Sequence, residues 1–366
     1  MKMCEKASLI ALYLPQFHEV EENSIWWGEG FTDWISVKNA KPCFLGHMQP
    51  KIPYKSNYYN LLEKKVMERQ VNMAQKAGIE GFCFYHYWFN GRKILERPVE
   101  NYLSWKDMKQ KFCLSWANES WIRTWSNVDG NDWNPLGDRL NSNKGPAVLI
   151  EQKYGEQKQW KEHFDYLLPF FRDSRYIKID DKPLFVIYRA DIIPCFVRMI
   201  KFWKKMAREN GFKGLYIIAT NPQKEYGQTI DGVLQYEPGY TLHNELKNKF
   251  DMNIRKPVVF NYDMIWRNIL VRRKSSRVPV FLGAFTAYDD TPRRSKEGCI
   301  VLNSTPKKFG IYLRLLLLKS KNKKYGRYIF ITAWNEWGEG AYLEPDEENR
   351  YAYLNACRWA INTKRQ

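Results

Sequence analysis

The sequence predicts an α/β fold, a (β/α)8 barrel formed as a single domain over residues 1–366 with long loops at the C-terminal face. Three observations carry this. Eight short apolar, β-branched or aromatic runs occur along the chain. Most of them are separated by amphipathic segments of helical spacing, and such alternation implies parallel strands. The competing doubly wound sheet lacks its phosphate-binding signatures: no GxGxxG follows the first strand, and no GxxxxGK[ST] occurs anywhere.

The first strand is read at Leu9–Pro15. A helix over Leu61–Gly78 follows from Leu62, Val66, Met67, Val71, Met73, Ala74 and Ala77, with Gly78 as its C-cap. Strands two and three are Gly81–Phe89 and Phe112–Ala117. Helix Gln157–Phe171, strand Pro183–Tyr188, helix Ile193–Asn210 and strand Leu215–Thr220 come next. Strand Gly232–Tyr236 precedes a helical stretch within Val258–Lys274. Strand Pro279–Phe285, helix Pro306–Lys319, strand Tyr328–Ala333 and helix Arg350–Thr363 complete the count. Gln16–Asn60 and Asn118–Glu151 read as long non-helical stretches. Each follows a strand, so each is expected on the C-terminal face, where barrel active sites lie.

Composition narrows the class. Apolar residues make up 44% of the chain, enough for a sizeable core. The longest uninterrupted apolar run, Leu9–Leu14, falls far short of the roughly 20 residues a membrane helix needs. The N-terminal residues carry no secretory pattern. The seven cysteines stand singly without a CxxC. They read as reduced thiols of a cytoplasmic protein, and no metal or cofactor is expected.

Chemistry-bearing residues gather at the strand ends. Thr332-Ala-Trp334-Asn335-Glu336-Trp337-Gly-Glu339-Gly begins where strand eight should end. Buried carboxylates are expensive unless paired or hydrogen-bonded. One helical turn there would put Glu336 and Glu339 on one face, with Cβ atoms about 5–6 Å apart. Glycosidic chemistry usually needs two carboxyl groups, so these two are the catalytic candidates.

The remaining clusters suit sugar binding, which uses a flat apolar face edged by polar groups. Tyr85, His86 and Trp88 end strand two. Trp116, Asn118, Glu119, Trp121 and Arg123 end strand three. Tyr236 and Glu237 end strand six, and Asp289, Asp290 and Arg293 follow strand seven. Trp26, Trp27 and Trp34 lie in the first long loop. With 15 Trp, 23 Tyr and 20 Phe, aromatics beside polar residues recur too often to be core filling alone.

Several blocks together resemble the WbsX-type proteins of bacterial O-antigen and capsule gene clusters, which are similar to glycoside hydrolase families 99 and 71. The blocks are Tyr13-Leu-Pro-Gln-Phe-His18, Trp26-Trp-Gly-Glu-Gly-Phe-Thr-Asp-Trp34, Gly46-His-Met-Gln-Pro50 and Gly78–Phe89. Trp116-Ala-Asn-Glu119, Trp334–Gly340 and Leu343-Glu-Pro-Asp346 complete them. The resemblance implies a TIM-type barrel acting on the glycosidic bonds of an oligosaccharide or polysaccharide. Carried over by position, Glu336 would assist the substrate 2-OH as base, and Glu339 would be the acid/base. Tyr288-Asp289-Asp290 departs from the usual Trp-Asp-Asn that precedes Thr-x-Arg-Arg and adds a charge.

The net charge is +18 and clustered: Lys307–Arg327 holds eight basic residues and Arg267–Arg277 five, with no acid in either. This fits a solvated basic face, an anionic or lipid-pyrophosphate-linked glycan, or peripheral contact with an anionic inner membrane. No nucleic-acid signature accompanies the charge, so nucleic acid is not expected as a partner. A nucleotide-sugar glycosyltransferase and a non-catalytic glycan-binding barrel are the rival functions.

Overall fold

The structure, a computed structural model, describes residues 7–122, 148–246, 257–273, 276–322 and 324–363. Eight parallel strands close into a barrel: β1 (Ser8–Tyr13), β2 (Ile79–Phe89), β3 (Lys111–Trp116), β4 (Lys182–Ile187), β5 (Tyr216–Thr220), β6 (Gly232–Leu234), β7 (Val280–Phe285) and β8 (Tyr325–Thr332). Each pairs with its neighbour in sequence. The ring closes where β1 lies between β8 and β2, with Ser8 opposite Tyr328 and Ala11 opposite Phe82. The expected α/β barrel is therefore the observed fold.

The strands read as near-continuous apolar runs because both faces are covered. Ten of the eleven residues of β2 are buried, all but Glu80. Tyr13, Phe82, Phe84 and Trp334 are fully buried in the core, Tyr13 and Phe84 against the helix layer, and complete burial of such a ring contributes about 1.5–3 kcal/mol. The Tyr13 hydroxyl would be costly there, but it donates to Gln70 Oε1 at 2.6 Å.

Two short helices, α1 (Glu21–Trp27) and α2 (Asp33–Asn39), lie in the segment that follows β1; the outer layer is formed by α3 (Lys64–Ala77), α4 (Arg97–Ser104), α5 (Gln157–Arg172), α6 (Phe196–Glu209), α7 (Tyr262–Val271), α8 (Pro306–Lys319) and α9 (Ala352–Asn362). The α3 C-cap is Gly78, as expected. Its φ of 78° is left-handed, and a Cβ there would lie 2.8 Å from Ile361 of α9.

Two readings need correction. Gln16–Asn60 is not devoid of helix, since it contains α1 and α2. Seven residues are too few for apolar periodicity to show. α4 was likewise hidden: it is eight residues long, with a proline in its first turn. The helix expected within Val258–Lys274 is α7, and the four residues before it, Val258–Asn261, form a strand of a small side sheet with Cys299–Leu302 and Tyr288–Asp289. The Asn261 side chain then caps α7 by accepting from the Asp263 and Met264 amides. No helix among the described residues is long and apolar enough to cross a membrane.

Candidate active site

A cavity of about 340 Å³ opens at the C-terminal end of the barrel. Glu336 and Glu339, following β8, line it together with Arg293 and Asp290 from the segment after β7. After β8 the chain makes a tight hairpin in which Glu336 pairs with Ala341, and Trp337–Glu339 form one 3-10 turn. Gly340 closes the turn in the left-handed region, φ 57°.

One guanidinium organises the floor. Arg293 donates to Glu336 Oε2 at 2.9 Å and Glu339 Oε1 at 3.0 Å. It also grips Asp33, the first residue of α2, at 3.0 and 3.1 Å. Three carboxylates thus share one cation. Gly338 makes room for it: a Cβ there would lie 2.5 Å from Arg293 Nε and 2.7 Å from Asp33 Oδ2. Burial, and then repulsion from Glu339 and Asp33, push Glu336 up to about 8 against the pull of Arg293. The Glu336 carboxyl is thus held well above the usual carboxylate range. Burial drives Asp290 up as well, to about 6, although Arg294 opposes this. The Asp290 carboxylate accepts from the Cys299 amide at 2.6 Å, so this departure from the Trp-Asp-Asn pattern ties the cavity wall to the side sheet.

The walls are aromatic. Tyr85 Oη donates to Tyr236 Oη at 3.3 Å, and Tyr188 stands edge-on to both rings. Burial raises all three phenols, which stay protonated as donors. Trp27, Trp121 and Glu119 complete the expected lining residues. Burial raises the Glu119 carboxyl, while Arg189 bonds it at 2.6 Å. Trp26 is half-buried and edge-on to Trp121. Arg123 lies outside the described residues.

The other sugar-binding candidates are not among the lining residues, and each has a structural partner. His86 is buried against His163, Nε2 to Nε2 at 2.8 Å, and desolvation lowers it to about 3. Trp88 stacks on the same His163 ring with planes 1° apart, and Trp116 packs on it edge-on. Trp34 is wedged among Phe17, Tyr59 and Trp337, and Trp334 packs on Phe82 in the core. Asn118 bonds the Arg189 backbone in both directions. Glu237 is wholly buried and paired with Arg272 at 2.7 Å. Asp289 accepts from Gln49 and bonds His47, which pins the loop before α3. A strand-end position thus does not by itself fix whether a side chain faces the cavity or the helix layer.

The two remaining candidates, Asn335 and Trp337, hold the hairpin after β8 in place. Asn335 accepts from the Leu14 amide and donates to its carbonyl. Trp337 stacks on Tyr342 at 3.8 Å and donates to the buried Glu344, which also accepts from Tyr59 and Gln70.

Asp33, Gln16 and Tyr188 line the cavity without having been singled out for it, and Tyr87 and Arg294 line it as members of the clusters after strands two and seven. Asp33 carried a signal, since it lies inside the Trp26–Trp34 block. Tyr188 had none, because a tyrosine ending an apolar strand reads as core.

The packing around His163 has a measurable consequence. Trp88→Ala is expected to lower stability by about 3–5 kcal/mol, as for a buried aromatic truncated to alanine. Glycan affinity should stay within twofold or so of the parent, about the scatter expected of a change that leaves binding contacts alone. Thermal melting and glycan titration of the same variant check this; lost affinity at unchanged melting would return Trp88 to the binding site.

Fold and cavity together define a (β/α)8-barrel protein with a carboxylate-centred pocket at the C-terminal strand ends. The chain belongs to the family described as Glycosyltransferase WbsX, whose pattern matches residues 9–357. It is 32% identical over 97% of its length to the protein WxcX of Xanthomonas campestris pv. campestris, in two strains. The chain spans about half the length of these curated relatives, 50% in each case. Among solved structures it resembles a glycoside hydrolase-like protein with a TM-score of 0.60 at 13% identity, over 100% of this chain and 96% of that one. It also resembles a GH99 endo-alpha-mannosidase from Bacteroides thetaiotaomicron, with a TM-score of 0.55 at 15% identity, over 97% and 96%. At these identities the likeness is one of fold.

Proposed function

We propose that the protein is a carbohydrate-active enzyme that cleaves or transfers a glycosidic linkage of a bacterial surface polysaccharide, with retention at the anomeric carbon. The observation that carries this reading is the Arg293 clamp, which holds Glu336 and Glu339 side by side on the cavity floor. The aromatic wall offers stacking faces, and the phenols offer donors to sugar hydroxyls.

In this reading Glu336 takes the proton of the sugar 2-OH as O2 attacks the anomeric carbon. Glu339 gives a proton to the departing glycosidic oxygen as that bond breaks. Water, or an acceptor hydroxyl, then opens the bicyclic intermediate with both proton movements reversed. A carboxylate raised toward neutrality is well matched to a hydroxyl proton, since general bases work best near the operating pH. Arg293 keeps both carboxylates in place through the two steps and offsets their charge. Transfer and hydrolysis share this chemistry and differ in what enters second.

The family's description favours transfer. A nucleotide-sugar donor is the version to set against a glycan donor. Addition of sugar nucleotides in a thermal-shift assay is expected to leave the melting temperature unchanged, whereas a clear rise would favour that donor.

The stereochemical expectation is direct. Proton NMR in the first minutes of reaction should show the product in the substrate's own anomeric configuration. A 2-deoxy or 2-fluoro substrate should not turn over. First appearance of the opposite anomer would instead require a water between carboxyl groups about 6.5–9.5 Å apart.

A further inference from the structure

The basic outer helices carry a second feature that the cavity does not use. α8 packs between α7 and α9 on the outside of the barrel. Lys308 and Tyr312 of α8 both reach Asp263 of α7 at 2.7 Å. On the other side Gly310 lets α9 approach, since a Cβ there would lie 3.2 Å from Ala356 and 3.4 Å from the Trp359 ring. The three helices therefore present one continuous face.

Phe309, Leu313, Leu316 and Leu317 turn inward and are fully buried. Outward point Ile311 and Leu315, 41% and 43% exposed, one turn apart on α8. Trp359 of α9, whose ring approaches Gly310 next to Ile311, is 48% exposed, and Val271 ends α7 at 65%. Single exposed aliphatic residues need no explanation. An i, i+4 pair beside an exposed tryptophan forms a patch, and patches mark contact sites.

Cations surround it. Arg267, Arg273, Lys307, Lys321 and Arg358 are exposed and make no ion pair among the described residues. The described residues of 262–273, 306–322 and 352–363 contain one acid, Asp263, already bonded to Lys308 and Tyr312.

We propose that this face rests on a bilayer surface carrying anionic lipid headgroups. Tryptophan sits preferentially at headgroup level, aliphatic side chains enter the acyl boundary, and a ring of Lys and Arg is drawn to anionic lipid. The face supplies all three in that arrangement. The inference stands apart from the glycan reading, because none of these residues lines the catalytic cavity.

The test is co-sedimentation of the full chain with vesicles of phosphatidylcholine alone and of phosphatidylcholine mixed with phosphatidylglycerol. Binding is expected only with the anionic lipid and should weaken as salt rises. Lys307→Glu with Arg358→Glu should weaken it by at least about tenfold. Trp359→Ser should weaken it by about tenfold while the variant stays folded at the assay temperature. If the charge reversals disturb folding, Lys307→Gln with Arg358→Gln should give the same direction with a smaller loss.

Failure to sediment with anionic vesicles overturns the proposal. So does binding that none of these variants changes, which would put the contact elsewhere. Absence of vesicle binding combined with a lower solution mass for Trp359→Ser would identify the face as an interface between copies of the chain.

Discussion

Glu336→Gln is expected to reduce turnover by at least about 100-fold, the usual scale for removal of a general acid or base. The exchange is nearly isosteric, so glycan affinity should persist. The pH dependence follows from the same group. Because its carboxyl is raised to about 8, Glu336 is protonated below that pH and cannot accept the 2-OH proton. Turnover should therefore climb as pH rises toward 8. A falling limb in this range would make Glu336 the proton donor and exchange the two roles.

Stability has the opposite slope. A group whose folded value lies above its unfolded one contributes stability that is fully present below the unfolded value. That contribution is lost as pH rises through the folded value, here from about 4.5 to about 8. Melting temperature should fall over that interval in the parent and fall less in Glu336→Gln.

Arg293→Ala is expected to be the most damaging substitution in fold and function together. It leaves Asp33, Glu336 and Glu339 facing one another without their shared cation. Breaking a buried ion cluster from one side costs about 3–5 kcal/mol, because the remaining charges stay desolvated. Turnover should also fall, since neither glutamate keeps its position. Arg293→Lys preserves the charge but cannot reach three carboxylates with one planar fork, so it should melt nearer the parent and still lose turnover. Urea unfolding and initial rates on the same preparations separate the two effects. A fully stable, fully active Arg293→Ala would show that the clamp holds nothing.

Much of this was legible in the residues because barrels repeat one pattern. Eight apolar runs and the helices between them follow from period and burial alone, and the observed strand positions differ from the expected ones at the ends. The Glu336–Glu339 pair was legible because two carboxylates between tryptophans and glycines fit neither core nor surface. Arg293 was visible as a strand-end cation, but its link to Asp33 spans 260 positions and depends on how α2 folds back over the barrel. His86 and Trp88 misled for a related reason. Both lie on β2, as Tyr85 and Tyr87 do, and the alternation of a strand sends the even-numbered pair to the α5 side, where His163 receives them. Which parity faces the cavity depends on barrel geometry, and one strand read alone does not contain it.

The most direct measurement is product analysis of a candidate surface glycan incubated with the parent chain and with Glu336→Gln, followed by mass spectrometry of the saccharides. The account predicts a shift in glycan length, shorter by hydrolysis or redistributed by transfer, with the parent and its loss in the variant. A glycan that binds the parent with measurable affinity but keeps its length and linkages, at every pH up to and beyond 8, would contradict it and leave a binding barrel.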